Sequence, residues 1–230
     1  MKHLALTTAL TLSCAAPQTL AAITAPGLTG TTAYDEWDDL TAASFAGYGS
    51  FVTASNPWPA PMGSNAVGSG DAEFNKTSGS GYAASGSMYS PGGGSFAVSD
   101  PTALNGVETV ALQIVMGLSP TVGPSLTANS DQAVELLGSV NAGEFFIGQV
   151  DTGQGLVDVF AQSVLYQWDL TSVVNPVTDF SIAFDIPAHA QIYAIRLDQS
   201  NTFTALVPEP ATLVSIGLLT LVSARRRRST

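Results

Sequence analysis

Cysteine is almost missing from this chain: Cys14 is the only one among 230 residues. Everything that follows it lacks the thiols needed for a disulfide, a thiolate metal site or a cysteine nucleophile. Histidine is nearly as scarce, with His3 at the N-terminus and His189 deep in the chain. A Ser-His-Asp arrangement would have to use His189, yet no G-x-S-x-G elbow occurs anywhere. Flanked by Ala188 and Ala190, His189 reads as a turn or strand residue. One histidine without cysteine also falls short of the three or four good ligands that zinc takes. Basic residues are the third shortage. There are seven Lys and Arg against eighteen Asp and Glu, and four of the seven form the block Arg225–Arg228. Between Ala22 and Val207 the basic side chains are Lys76 and Arg196 alone. Such a body repels nucleic acid, whose affinity for proteins comes from phosphates neutralised by Lys and Arg.

What is present starts with an apolar leader. "MKHLALTTALTLSCAAPQTLAAITAPG" carries one Lys, runs apolar from Leu4 to Ala16 and ends in small residues. That is the three-part layout of a secretory signal peptide, expected over residues 1–22 with cleavage near Ala21 or Ala22. Cys14 leaves a lipoprotein signal open as the alternative. The expected layout is then a signal peptide over 1–22, a body over 23–206 and a separate tail over 207–230. A body of this length suits one domain with a sizeable core.

Within the body the apolar residues recur at a period of two, which marks half-buried strands. Val110, Leu112, Ile114 and Met116 share one face, as do Val164, Tyr166, Trp168 and Leu170. Phe180, Ile182, Phe184 and Ile186 form a third set, and Tyr193, Ile195 and Leu197 a fourth. Pro187–Ala190 and Asn141–Gly143 read as hairpin connections. From Gly63 to Ser95 the chain is rich in Gly and Ser, with Phe74, Tyr82, Tyr89 and Phe96 at strand-like intervals. Short edge strands joined by Gly turns are expected there. Together these features predict an all-β sandwich, jelly-roll-like in type. "AYDEWDDLTAASFAG" spaces Tyr34, Trp37 and Leu40 as a helix would, so one short N-terminal helix is expected to cap the sandwich.

Three chemistries stay open for the body. Glycoside hydrolysis needs two facing carboxylates, and acidic residues are plentiful, but their spacing selects no pair. Calcium takes several oxygen ligands, and Asp35, Glu36, Asp38 and Asp39 fall close together without matching an EF-hand loop. Trp37 and Trp58 could stack on sugar rings or simply fill the core.

The chain ends with Pro208, Glu209 and Pro210, an apolar run from Ala211 to Ala224, and then Arg225, Arg226, Arg227 and Arg228. This order resembles the PEP-CTERM sorting signal, and the leader at the other end is what that family requires. The resemblance covers the tail and the leader and leaves the body unassigned. It implies a bacterial precursor held in the inner membrane by a C-terminal transmembrane helix over about 211–224. An exosortase, a membrane-embedded cysteine transpeptidase, would process it near Pro208–Pro210. The arginine block would act as a cytoplasmic stop, in keeping with the positive-inside rule. The mature protein would then reach the cell surface or the extracellular medium, with extracellular polysaccharide as a candidate partner. The resulting expectation is an exported, surface-sorted protein with a binding or structural role and no enzymatic one. A secreted carbohydrate-active hydrolase using paired carboxylates is the alternative.

Overall fold

The computed structural model of the protein describes residues 23–117, 122–151 and 155–206. The alternating segments form strands throughout: β1 (Thr32–Trp37), β2 (Met62–Gly63), β3 (Glu73–Gly79), β4 (Tyr82–Ala83), β5 (Met88–Ser90), β6 (Gly94–Asp100) and β7 (Thr109–Gly117). They continue as β8 (Val122–Ala128), β9 (Gln132–Val134), β10 (Leu136–Asp151), β11 (Leu156–Asp169), β12 (Phe180–Ile186) and β13 (Ala190–Ser200). One sheet has the order β10-β11-β7-β13-β5-β4, with β1 also paired to β13; the other has the order β2-β3-β6-β12-β8-β9. All the pairings are antiparallel. The chain changes sheet eight times: β1 to β2, β3 to β4, β5 to β6, β6 to β7, β7 to β8, β9 to β10, β11 to β12 and β12 to β13. Each crossing lets an alternating strand turn its apolar side to the same interior.

Between the sheets lies one main core. The first sheet contributes Val110, Leu112, Ile114 and Met116 of β7, Tyr166 and Trp168 of β11, and Ile192, Ile195 and Leu197 of β13. The second sheet answers with Phe74, Phe96, Leu126, Phe180, Ile182, Phe184 and Ile186. Phe74, Phe96 and Phe184 stack on one another with ring centroids 5.7, 6.0 and 6.2 Å apart. Full burial of a large apolar side chain stabilises by about 1.5–3 kcal/mol, so these faces hold the two layers together. β7 is buried on both sides, because a second, smaller cluster of Ile23, Val115, Ala161 and Ala194 covers the outer face of its sheet.

Several expectations need correction. The expected N-terminal helix is a strand: Tyr34 and Trp37 lie in β1, which pairs residue for residue with β13. Tertiary pairing outweighs the helical spacing there, since Trp37 in period-two alternation with Asp35 reaches the interior equally well. The helical structure among the described residues is one 3-10 turn, Phe51–Thr53. Pro187–Ala190 is no hairpin, because β12 and β13 belong to different sheets and the segment is a corner between layers. Asn141–Gly143 is no hairpin either; β10 runs straight through it. In the Gly- and Ser-rich stretch, Tyr82 and Tyr89 lie on two short paired strands, β4 and β5.

The expected C-terminal transmembrane helix finds no support. Among the described residues no helix is long and apolar enough to cross a membrane, and the expected span falls in 207–230, outside those residues. The run itself, Ala211–Ala224, would reach only about 21 Å as a helix against a hydrocarbon core of about 30 Å. The single-pass inner-membrane precursor, its exosortase processing and the surface location built on them have no support in the described structure. The corrected description is an all-β, two-sheet fold with no closed barrel. The signal peptide over 1–22, and Pro208, Glu209, Pro210 and Arg225–Arg228, also lie outside the described residues.

Candidate functional site

The residues singled out in the sequence do not converge. Asp35, Glu36, Asp38 and Asp39 straddle the end of β1, where successive side chains point to opposite faces. Asp35 turns inward and accepts bonds from Ser64 Oγ (3.1 Å) and the Ala72 N–H (3.2 Å). Glu36 turns outward to pair with Arg196. Asp38 is exposed, and Asp39 takes the Ser44 hydroxyl. Among the described residues no group of three or more His, Cys, Asp or Glu could hold a metal ion. Both tryptophans are core residues. The indole N–H of Trp37 bonds the Met62 carbonyl and that of Trp58 the Gly81 carbonyl, each at 3.0 Å. His189 occupies a left-handed backbone conformation (φ 65°) at the corner between layers. Its Nδ1 lies 2.7 Å from the Tyr89 hydroxyl.

A groove does form, on the outer face of the first sheet, and two β-bulges build it. In β13, Ile192 pairs with Met116 and Ala194 with Val115, so Tyr193 has no partner across the ladder. The extra residue breaks the alternation. Ile192 and Ile195 enter the main core while Tyr193 and Ala194 both join the outer cluster. In β10, Phe146 pairs with Phe160 and Gly148 with Val159, leaving Ile147 as the extra residue. The local twist of a bulge bends a strand and re-aims a side chain. Phe145 and Ile147, two residues apart on one face, pack on the cluster with Tyr193. The two bulged residues, with Phe146, Gln191 and the Ala84–Ser87 turn, line a groove of about 360 Å³. Gly117 makes room for Tyr193, since a Cβ at that position would stand 3.2 Å from the Tyr193 ring.

None of the eight residues lining the groove is charged. The Tyr193 hydroxyl donates to Gln191 Oε1, and burial pushes the Tyr193 phenol above its ordinary range, so it stays protonated at neutral pH. Beside Gln191, in register on the neighbouring strand, stands Tyr89, followed by Tyr82. Tyr82 packs edge-on against both Tyr89 (5.9 Å) and Phe51 (6.5 Å), and Phe51 is 68% exposed. An aromatic row thus leads away from the groove. Among the described residues, β11 before Ala161 pairs with β10, and the two strands form an arm. The arm exposes Phe146, Leu156, Val157 and Phe160.

The second sheet offers a contrasting surface. Glu73, Ser99, Ser181 and Thr127 stand side by side across β3, β6, β12 and β8. They line a depression of about 600 Å³ together with Asp100, Ser130 and Asp179. Two of its three carboxylates are engaged by the chain itself: Asp100 by the Thr102 N–H (2.8 Å) and the Gln199 amide, Asp179 by Thr178 Oγ1 (3.0 Å).

The groove residues escaped the sequence reading because a bulge hides inside an alternating pattern. Tyr193 continues the run of Ile195 and Leu197, a pattern that predicts the core face. One signal was present: Gly138, Gly143 and Gly148 recur every fifth residue, each just after a residue skipped by the ladder of β10. Comparison with protein-family models, curated proteins and solved structures finds no match to this chain.

Proposed function

We propose that this chain is a non-enzymatic binding module whose ligand seat is the uncharged groove between the β10–β11 arm and the β4–β5 turn. The observation that carries this reading is the pair of bulges. The extra residue of each, Tyr193 or Ile147, lines the same groove. Bulges are over-represented beside functional sites. The groove also has the composition of a ligand pocket, with apolar and aromatic walls and a few convergent polar groups. The carboxylates Glu73, Asp100 and Asp179 cluster on the other sheet, away from this concavity.

Tyr193→Ala in the full chain tests the reading. Tyr193 is half-buried at the edge of a small cluster, so the variant should keep a cooperative melt, destabilised by about 1–2 kcal/mol. An uncharged fragment that binds the parent, found by ligand-observed NMR, should lose at least about tenfold in affinity, or roughly 1.4 kcal/mol. Unchanged affinity in a folded Tyr193→Ala protein would place the ligand elsewhere.

A further inference from the structure

The chemistry of the groove narrows its ligand, granted that the groove is the ligand seat. Charge decides first. No lining residue is charged, and the two basic side chains of the described body, Lys76 and Arg196, are buried in internal contacts. An anionic ligand would find no counter-charge, and a cationic one would favour the exposed carboxylates elsewhere. The ligand is uncharged.

Its shape follows from the walls. Phe146, 44% exposed, and Ile147 offer an apolar surface. The opposite side is polar: the Tyr193 hydroxyl spends its proton on Gln191 Oε1. The Gln191 amide therefore keeps N–H donors, and the Tyr193 oxygen keeps acceptor capacity. Ser85 adds a hydroxyl at the rim. Donors and acceptors side by side facing an apolar wall match a ring with C–H groups on its face and hydroxyls on its edge. A peptide strand matches less well. It seeks a free main-chain edge; at Gln191 the backbone lies between β7 and β5, which leaves the outer edge of β10 to such a strand. A volume of about 360 Å³ lies at the small end of ligand sites. That leaves room for one or two rings, with Tyr89 and Tyr82 standing in register beyond them.

We infer that the groove binds a neutral sugar, one or two hexose rings in the groove itself, with further rings of a short chain passing over Tyr89 and Tyr82. The test titrates the full chain with neutral tetrasaccharides of glucose, galactose and mannose, with tetragalacturonate, and with a capped tetra-alanine peptide. NMR signals of the Tyr193 ring and the Gln191 amide report on each. At least one neutral tetrasaccharide should shift both signals, and tetragalacturonate and the peptide should shift neither. Gln191→Leu should weaken that sugar about tenfold or more, because a hydroxyl loses its buried partner. Tyr89→Ala should weaken the tetrasaccharide severalfold and leave the matching disaccharide unchanged. If the peptide or the acidic sugar moves the signals and no neutral sugar does, the ligand class is overturned while the groove stands as a binding site. If nothing moves them, both are overturned.

Discussion

The two basic side chains of the described body both work inside it. Lys76 donates to the carbonyls of Ala54 and Asn56 (2.6 Å each) and Gly81 (3.2 Å), with its ammonium 5.8 Å from the centre of the Trp58 ring. Burial lowers its pKa. It gathers three chain segments at one end of the core. Arg196 lies between Glu36 and Asp198, its Nε 2.8 Å from Asp198, and packs on the Tyr34 ring at 4.2 Å. Burial opposes its charge, but Asp198 and then Glu36 outweigh burial and hold its pKa above the ordinary arginine value. Removing one partner from such a cluster leaves buried charge uncompensated, which costs about 3–5 kcal/mol. Arg196→Met should therefore lower the unfolding free energy by about that much in urea titration. Arg196→Lys should recover only part, since an ammonium cannot form the planar fork. A loss under about 1 kcal/mol for Arg196→Met would show that Glu36 and Asp198 find water or protons instead.

At the scale of elements, the β10–β11 arm explains both the groove and the limits of the sequence. Gly143 and Gly148 have φ of 136° and 145°, and each follows a bulged residue. Side chains rarely adopt that conformation, and a forced non-glycine residue costs of order 1–3 kcal/mol. Gly148→Val should therefore loosen the arm and leave the sandwich intact. The expected readout is faster amide exchange across Phe146–Gln149 with protection in β7 unchanged. The strands themselves were legible from period-two alternation. Val110–Met116 and Phe180–Ile186 face the core as their spacing predicts, because both strands are regular where they pack. Legibility failed where partners decide the outcome. Tyr34 and Trp37 fit a helix until β13 pairs with them. "FSIAFDI" and "IYAIRLD" fit a hairpin until the layers separate them. Tyr193 fits the core face until one unpaired position turns it outward. Alternation records which residues are apolar, and a bulge changes the face without changing the residues.

For the whole molecule, the imbalance of charge sets the response to pH. Burial raises the pKa of Asp35, offset in part by bonds from Ala72 and Ser64, and nearby Asp100 and Asp71 raise it further. Asp100 is raised by burial as well, against bonds from Thr102 and Gln199. Unfolded aspartate titrates near about 3.9. Between that value and their raised folded values, the folded protein binds more protons than the unfolded one. Stability should then rise as pH falls through the folded values, and the gain is complete below the unfolded value. Relief of self-repulsion in a chain of net charge −11 acts in the same direction. The melting temperature should climb as pH is lowered from neutral toward the unfolded aspartate value of about 3.9. Asp100→Asn should flatten that slope, and a melting temperature that falls over the range would contradict the sign.

The same imbalance directs ligands toward an uncharged surface, which makes the position of the bound ligand the decisive observation. The most direct measurement is a map of side-chain NMR shifts over the full chain at saturation with whichever uncharged ligand binds most tightly. The account predicts the largest changes at Tyr193, Ile147, Phe146 and the Gln191 amide, with smaller ones at Tyr89. Largest changes at Ser99, Ser181 and Thr127 on the other sheet, or at Leu156 and Val157 on the arm, would contradict it.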